Sequence, residues 1–301
     1  MKRTLGRRAR TLGVHPRANA LGVLCLLVTA CDDALNQRLA IIDEPRVLAV
    51  IAEPAEAKPK AMVTYTIVTA SPDGPLSTLP AWAYCTSPKP PTEDNAVPVP
   101  CVAGEGLIDL GTGAQAVGML PADGCLNYGP DTPPGGFRPR DADSTGGYYQ
   151  PVRAEVDGLL AFGLSRITCK LPTAPAAAAR EYDLSYVANQ NPILEPIDLV
   201  TVPADTDVTL TASWPAASAE TYLFFDTFAQ ILVDRRESLR ASWFATGGSL
   251  AVDATLVDEE DFATTASTTW HTPTAGSAFV WIVLRDSRGG IASQQFTVTV
   301  D

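Results

Sequence analysis

Few residues of this 301-residue chain could do chemistry. Histidine occurs twice, as His15 and His271. A Ser-His-Asp triad would need one of them as its base, and no G-x-S-x-G turn exists to present a serine beside it. So small a stock of imidazoles also excludes a histidine-rich zinc site. Trp270 and Pro273 flank His271 at a strand edge, which marks a packing or loop residue rather than a base. Carboxylates are plentiful, and Asp258-Glu259-Glu260-Asp261 is their densest run. A glycosidase needs two carboxyl groups held at a set distance across a sugar. Neighbours in a run point in alternating directions, so nothing in the pattern fixes such a distance. The run reads as a solvated loop. Its four carboxylates, with Asp141 and Asp143, are the candidates for calcium, because hard cations take clustered oxygen ligands. Asp141-Ala142-Asp143-Ser144 opens like a calcium loop but lacks the Gly and Glu required downstream. No catalytic residue is assigned, and calcium is the one cofactor considered.

Other chemistries lack their motifs. There is no G-x-x-x-x-G-K-[ST] phosphate loop and no strand–G-x-G-x-x-G–helix unit. No basic patch with interleaved aromatics appears, so nucleic acid is not an expected partner. Tyr148 and Tyr149, after Gly146-Gly147, are the aromatics that could meet a sugar or peptide. Tyrosines at the start of a strand more often pack on the core.

Six cysteines remain to be placed. Residues 1–30 hold six basic residues and no acidic one, and end in an apolar run over 20–30. That run is too short to span a membrane and has the length of a secretory signal core. It closes in Leu27-Val28-Thr29-Ala30-Cys31. This stretch resembles the lipobox of bacterial lipoproteins. The resemblance implies cleavage before Cys31, acylation of its sulfur with palmitate-type chains, and a chain tethered to a membrane by that lipid. Asp32 is similar to the inner-membrane retention signal of enteric bacteria, a rule other lineages do not share, so the membrane stays open. Cys25 leaves with the leader. Cys85, Cys101, Cys125 and Cys169 remain, an even number in an exported chain, which suggests two disulfides. No C-x-x-C occurs, which disfavours a thiolate zinc site. Cys85–Cys101 with Cys125–Cys169 closes the shorter loops. Cys85–Cys169 with Cys101–Cys125 is the rival pairing.

Removal of 1–30 leaves sixteen basic against 34 acidic residues, a formal charge of −18. Such a chain is repelled by nucleic acid and by anionic headgroups.

The elements that must position these groups read as strands. Residues 31–44 are a polar tether. The run 46–51 is compact and apolar, and 53–60 is a turn. In 62–69, Val63, Tyr65 and Ile67 share a face at period two. A short strand surrounds Trp82-Ala83-Tyr84-Cys85. Residues 86–150 are rich in Pro, Gly and Asp and read as a long insertion, partly ordered by disulfides. Strand signals return at 150–156, 159–171 and 182–187. Beyond 192, alternation is clean at Val208, Leu210 and Ala212, at Leu239, Ala241, Trp243 and Ala245, and at Phe296, Val298 and Val300. Residues 227–238 have room for one helical turn. The continuous apolar run 279–284 reads as a strand buried on both faces, and 285–290 as a hairpin loop. Short, evenly spaced strands predict an all-β chain of tandem sandwiches, 45–192 and 193–301.

Trp243, Trp270 with Pro273, and Asp286-Ser287-Arg288-Gly289-Gly290 resemble the marks of polycystic-kidney-disease-type and related bacterial immunoglobulin-like domains. The whole chain is similar to uncharacterised cell-surface lipoproteins of myxobacteria and their relatives. These motifs specify a fold, not an activity. They imply a non-catalytic, lipid-anchored envelope protein that acts as a structural, adhesion or interaction module on another envelope protein or a polysaccharide. The competing expectations are a carbohydrate-binding accessory module and, behind it, a carboxylate glycosidase. The insertion 86–150 is the expected contact surface.

Overall fold

The computed structural model describes residues 39–88, 97–129 and 146–301. The β-prone runs of the first half become β1 (Arg46–Glu53), β2 (Glu56–Ala57), β3 (Met62–Ala70), β4 (Ala81–Cys85), β5 (Leu107–Thr112), β6 (Gln115–Met119), β7 (Gly147–Val156) and β8 (Leu159–Thr168). They form two sheets, in the orders β1-β3-β6 and β2-β8-β7-β4-β5. Val63, Tyr65 and Ile67 of β3 face inward together and meet Trp82 and Tyr84 of β4. The Tyr65 and Tyr84 rings stand edge to face with centroids 5.7 Å apart, and their hydroxyls lie 2.9 Å from each other. Gly118 of β6 sits against this pair: a Cβ there would lie 2.5 Å from the Tyr84 hydroxyl. Within 86–150 the described residues supply β5, β6 and two short helices, α1 (Val99–Val102) and α2 (Gly124–Asn127).

Helix α3 (Ala176–Ser185) follows β8. The sequence suggested a strand at 182–187; the structure corrects this. Four alanines followed by Arg180 and Glu181 are strong helix formers, and they outweigh the isolated tyrosines. Tyr182 and Tyr186, four residues apart, stack with centroids at 4.4 Å.

The second half contains β9 (Thr201–Val202), β10 (Asp207–Ser213), β11 (Thr221–Asp226), β12 (Ile231–Arg236), β13 (Leu239–Ala245), β14 (Ser249–Leu250), β15 (Ala254–Val257), β16 (Thr265–His271), β17 (Gly276–Asp286) and β18 (Ile291–Val300). A sheet ordered β10-β16-β14 faces one ordered β15-β13-β17-β18-β9. Trp214, Trp243 and Trp270 lie in the core between them. Strands β11 and β12 make a separate hairpin. The helical turn expected within 227–238 is absent, because Ile231 to Arg236 pair back across the hairpin instead.

Two strands are apolar on both faces. Val280, Ile282 and Leu284 of β17 enter the second core, while Trp281 and Val283 point the other way. There they meet Leu48 and Ala49 of β1, Ala70 of β3, and Ile42. On its opposite face β1 sends Val50 into the first core. The two sandwiches therefore share an apolar wall, and Asp33–Asp301 is one compact unit. Among the described residues, no helix is long and apolar enough to cross a membrane.

Candidate functional site

His271 ends β16 on the surface. Its Nδ1 lies 2.8 Å from Asp207 Oδ1, and its Nε2 lies 3.2 Å from Asp205 Oδ1. Hydrogen bonds to Asp207 and then Asp205 raise its pKa. A ring with a carboxylate at each nitrogen favours its protonated form, in which both nitrogens donate.

The acidic run lies between β15 and β16, and three of its carboxylates each have one oxygen engaged. Asp258 Oδ1 accepts the Glu259 N–H at 2.7 Å, and Asp261 Oδ1 accepts the Ala263 N–H at 2.9 Å. Glu259 receives the Arg235 guanidinium at 2.5 Å. Among the described residues, no three or more His, Cys, Asp or Glu side chains gather as a metal site requires. Asp141 and Asp143 lie outside the described residues, as do Cys31, the signal segment 1–30 and residues 31–38 of the tether.

Tyr148 and Tyr149 are not an open platform. The Tyr148 ring is buried in the first core. Tyr149 accepts a hydrogen bond from Arg166 Nη1 at 3.1 Å and donates to the Arg288 carbonyl at 3.0 Å. The reason is alternation along β7, which pairs with β8 over ten residues: Tyr148 enters the first core and Tyr149 turns to the opposite face, toward Arg288. The cysteines pair as Cys85–Cys101 and Cys125–Cys169.

What sequence reasoning missed is a buried ionic joint between the sandwiches. The Arg288 guanidinium, from the β17–β18 loop, is 2 % exposed. Its Nε donates to Glu237 Oε1 at 2.6 Å, its Nη2 to Glu220 Oε2 at 2.8 Å, and its Nη1 to the Tyr186 hydroxyl and the Val187 carbonyl, each at 3.1 Å. The guanidinium also lies over the Tyr222 ring, 4.6 Å from its centroid. On the first sandwich, Glu56 of β2 is fully buried and 3.3 Å from Arg166 Nε of β8. Glu56 accepts from Thr168 Oγ1 at 3.0 Å, the Tyr186 hydroxyl at 2.8 Å and the Asn189 N–H at 2.9 Å. Tyr186 and Asn189 thus tie the segment after α3 to both halves. Asn189 Nδ2 donates to Asp286 at 3.1 Å. Asp286 Oδ1 also accepts the N–H groups of Arg288 and Gly290, each at 2.8 Å. This explains the spacing Asp286-x-x-Gly-Gly: the carboxylate closes the loop, and Gly289 takes the positive φ of +100°.

Four carboxylates (Glu56, Glu220, Glu237, Asp286) share this joint with two guanidiniums. Burial, then Asp286, pushes the Glu237 carboxyl up to about 7, against the pull of Arg288. Burial raises Asp286 as well. For Arg288 burial opposes the charge, but Glu237 and Tyr186 outweigh it and hold the guanidinium protonated. The signals were present in the sequence as Glu56 inside an apparent turn and Arg288 inside an apparent hairpin loop. Nothing in their spacing announced that they meet.

A second feature is the β11–β12 tip. Asp226 Oδ1 accepts the N–H groups of Phe228 and Ala229 at 2.8 and 2.9 Å. Gln230, at φ +60°, donates its side-chain amide to the Thr227 carbonyl at 2.6 Å. At the root, Phe225 is buried against Tyr182 and Leu171. The turn is thus built and held, yet it presents Phe228 at 98 % exposure.

No family model matches the chain, and no curated protein matches it. Among solved structures, the D0-D1 domain of intimin aligns over 84 % of this chain and 98 % of its own, at 12 % identity and a TM-score of 0.23. The fibronectin(III)-like modules of Clostridium thermocellum CbhA align over 85 % and 94 %, at 11 % and 0.25. Invasin, a bacterial integrin-binding protein, aligns over 85 % and 39 %, at 16 % and 0.22. Likenesses at these scores carry nothing about activity or partner.

Proposed function

We infer that the chain is a non-catalytic, lipid-anchored envelope protein, held to its membrane through Cys31, that presents a stiff two-sandwich body to another envelope protein or a polysaccharide. The observation that carries this reading is the joint. A chain that buries Arg288, Arg166, Glu56 and Glu237 between two sandwiches, beside an apolar wall, invests its ionic groups in holding shape. His271 is likewise committed to two carboxylates. Interaction modules of this architecture act through loops and edges carried on a rigid scaffold. The anchor rests on the sequence of 27–31.

Fractionation of cells expressing wild type and Cys31→Ala tests the anchor. Wild type is expected in the membrane fraction with palmitate label, and Cys31→Ala in the soluble fraction without it. Membrane retention of Cys31→Ala would refute the anchor. For the interaction half of the reading, turnover of any glycoside by the purified chain would overturn the non-catalytic assignment.

A further inference from the structure

A cavity of about 400 Å³ opens beside the joint, where β1 and β8 of the first sandwich meet the β17–β18 corner of the second. Val47, Leu48, Phe162 and Ile291 give it apolar walls, and Arg285 supplies a charge. Arg285 lies on the outer face of β17, in line with Trp281 and Val283. Its Nη2 donates to the Leu48 carbonyl across the junction at 2.6 Å, which fixes the guanidinium in place. That bond uses one of five N–H donors. Among the described residues, no carboxylate meets this guanidinium.

The two guanidiniums of the joint are treated differently: Arg166 meets Glu56, and Arg288 meets Glu237 and Glu220. Arg285 faces another cation instead. Register sets Arg240 of β13 directly opposite it, on the same face of the sheet. Arg240 likewise has no ion pair among the described residues. Like charges opposed across two strands destabilise a sheet, and burial, then Arg240, lowers the Arg285 pKa. The chain has 34 acidic residues, yet none answers this pair. An oxyanion seated between the two guanidiniums removes the repulsion and accepts the remaining N–H groups in their forked geometry. The chain's net negative charge does not prevent this, because exposed charges beyond about 8 Å are largely screened at physiological salt. The walls describe the rest of the ligand. A cavity of this size suits a small organic molecule, and its lining is mostly apolar.

We propose that this cavity binds a small organic anion, with its carboxylate or phosphate head on Arg285 and Arg240 and its apolar body against Leu48, Phe162 and Ile291. Both sandwiches contribute to the site, so it exists only while they are docked. It depends neither on the lipid at Cys31 nor on an envelope partner.

Isothermal titration calorimetry of the purified chain at fixed ionic strength tests this, with phenyl phosphate, benzoate, inorganic phosphate and benzyl alcohol as probes. Phenyl phosphate or benzoate is expected to bind, and the tighter of the two identifies the head. Inorganic phosphate lacks the body and benzyl alcohol lacks the charge, so both should bind at least about tenfold more weakly. Arg285→Gln should weaken the better probe about tenfold to a hundredfold, because hydrogen bonds to a charged group are lost. Arg240 is exposed, so Arg240→Gln should weaken it up to about fivefold. Its melting temperature should not fall, since a repulsion is removed. No saturable heat from either aromatic anion up to about 10 mM overturns the proposal. So does binding that both substitutions leave unchanged. Benzyl alcohol binding as tightly as the anions would also overturn it, as would inorganic phosphate doing so.

Discussion

Replacing Arg288 with methionine keeps an unbranched side chain of similar reach and removes the charge. In wild type the guanidinium satisfies Glu237, Glu220, the Tyr186 hydroxyl and the Val187 carbonyl. In Arg288→Met, the buried Glu237 loses its cation and keeps only the Glu220 N–H, at 3.0 Å. Removing one partner of a buried ion pair costs up to about 3–5 kcal/mol, reduced to the extent that Glu237, already pushed up to about 7 by burial, takes up a proton. At about 2–4 °C per kcal/mol for a chain of this size, the melting temperature should fall by at most roughly 6–20 °C. Differential scanning calorimetry at neutral pH measures this. The double variant Arg288→Met with Glu237→Gln should recover part of the loss, since the stranded carboxylate is gone, and the pair should be clearly non-additive. The joint also couples the sandwiches, so the single variant should separate one unfolding transition into two. If Arg288→Met melts within about 1 °C of wild type as one transition, the guanidinium does not hold the joint together.

Glu237 supplies a pH test. Its folded pKa, about 7, lies above its ordinary value of 4.5. Its contribution is therefore complete below about 4.5 and disappears as pH rises through about 7, so unfolding free energy from urea titrations should decline across that window, less steeply in Glu237→Gln. For His271, Asp207 and Asp205 raise the folded pKa, so its contribution is present at low pH and lost as pH rises through that pKa. An NMR titration should show the ring titrating above 6.5, and Asp207→Asn should bring it down. Cys85 and Cys101 are wholly buried, whereas Cys125 is partly open, so graded reductant should expose Cys125 and Cys169 to alkylation first. Early labelling of Cys85 would contradict that order.

The strands were legible because period-two patterns at Val63-Tyr65-Ile67 and Leu239-Ala241-Trp243-Ala245 follow from one-sided burial. The run Phe279 to Leu284 was legible as doubly buried, but the partner of its outer face was not. Trp281 states that something covers it, not that Leu48 and Ala70 do. Helix α3 was misread because Tyr182 and Tyr186 draw the eye to β propensity, while the alanines before them set the local preference. The joint was illegible for a different reason. Glu56 and Arg288 are 232 residues apart in sequence, and each alone looks like a solvated loop charge. Only the docked fold removes them from water. Phe228 was illegible too, because one exposed phenylalanine in a polar turn has no sequence signature.

Ile42 donates its N–H to the Ala245 carbonyl at 2.8 Å, and Ile41 bridges Ala245 in parallel. The chain therefore touches the second sandwich before it enters the first at β1. A pull arriving from the N-terminal side meets this bridge and the Ile42–Trp281 wall before any strand of the first sandwich carries load. Force would enter at the waist of the molecule rather than at one end, and both halves would be dragged together. Strand peeling, the weak mode of a sandwich hung by its terminal strand, is postponed until the waist has sheared.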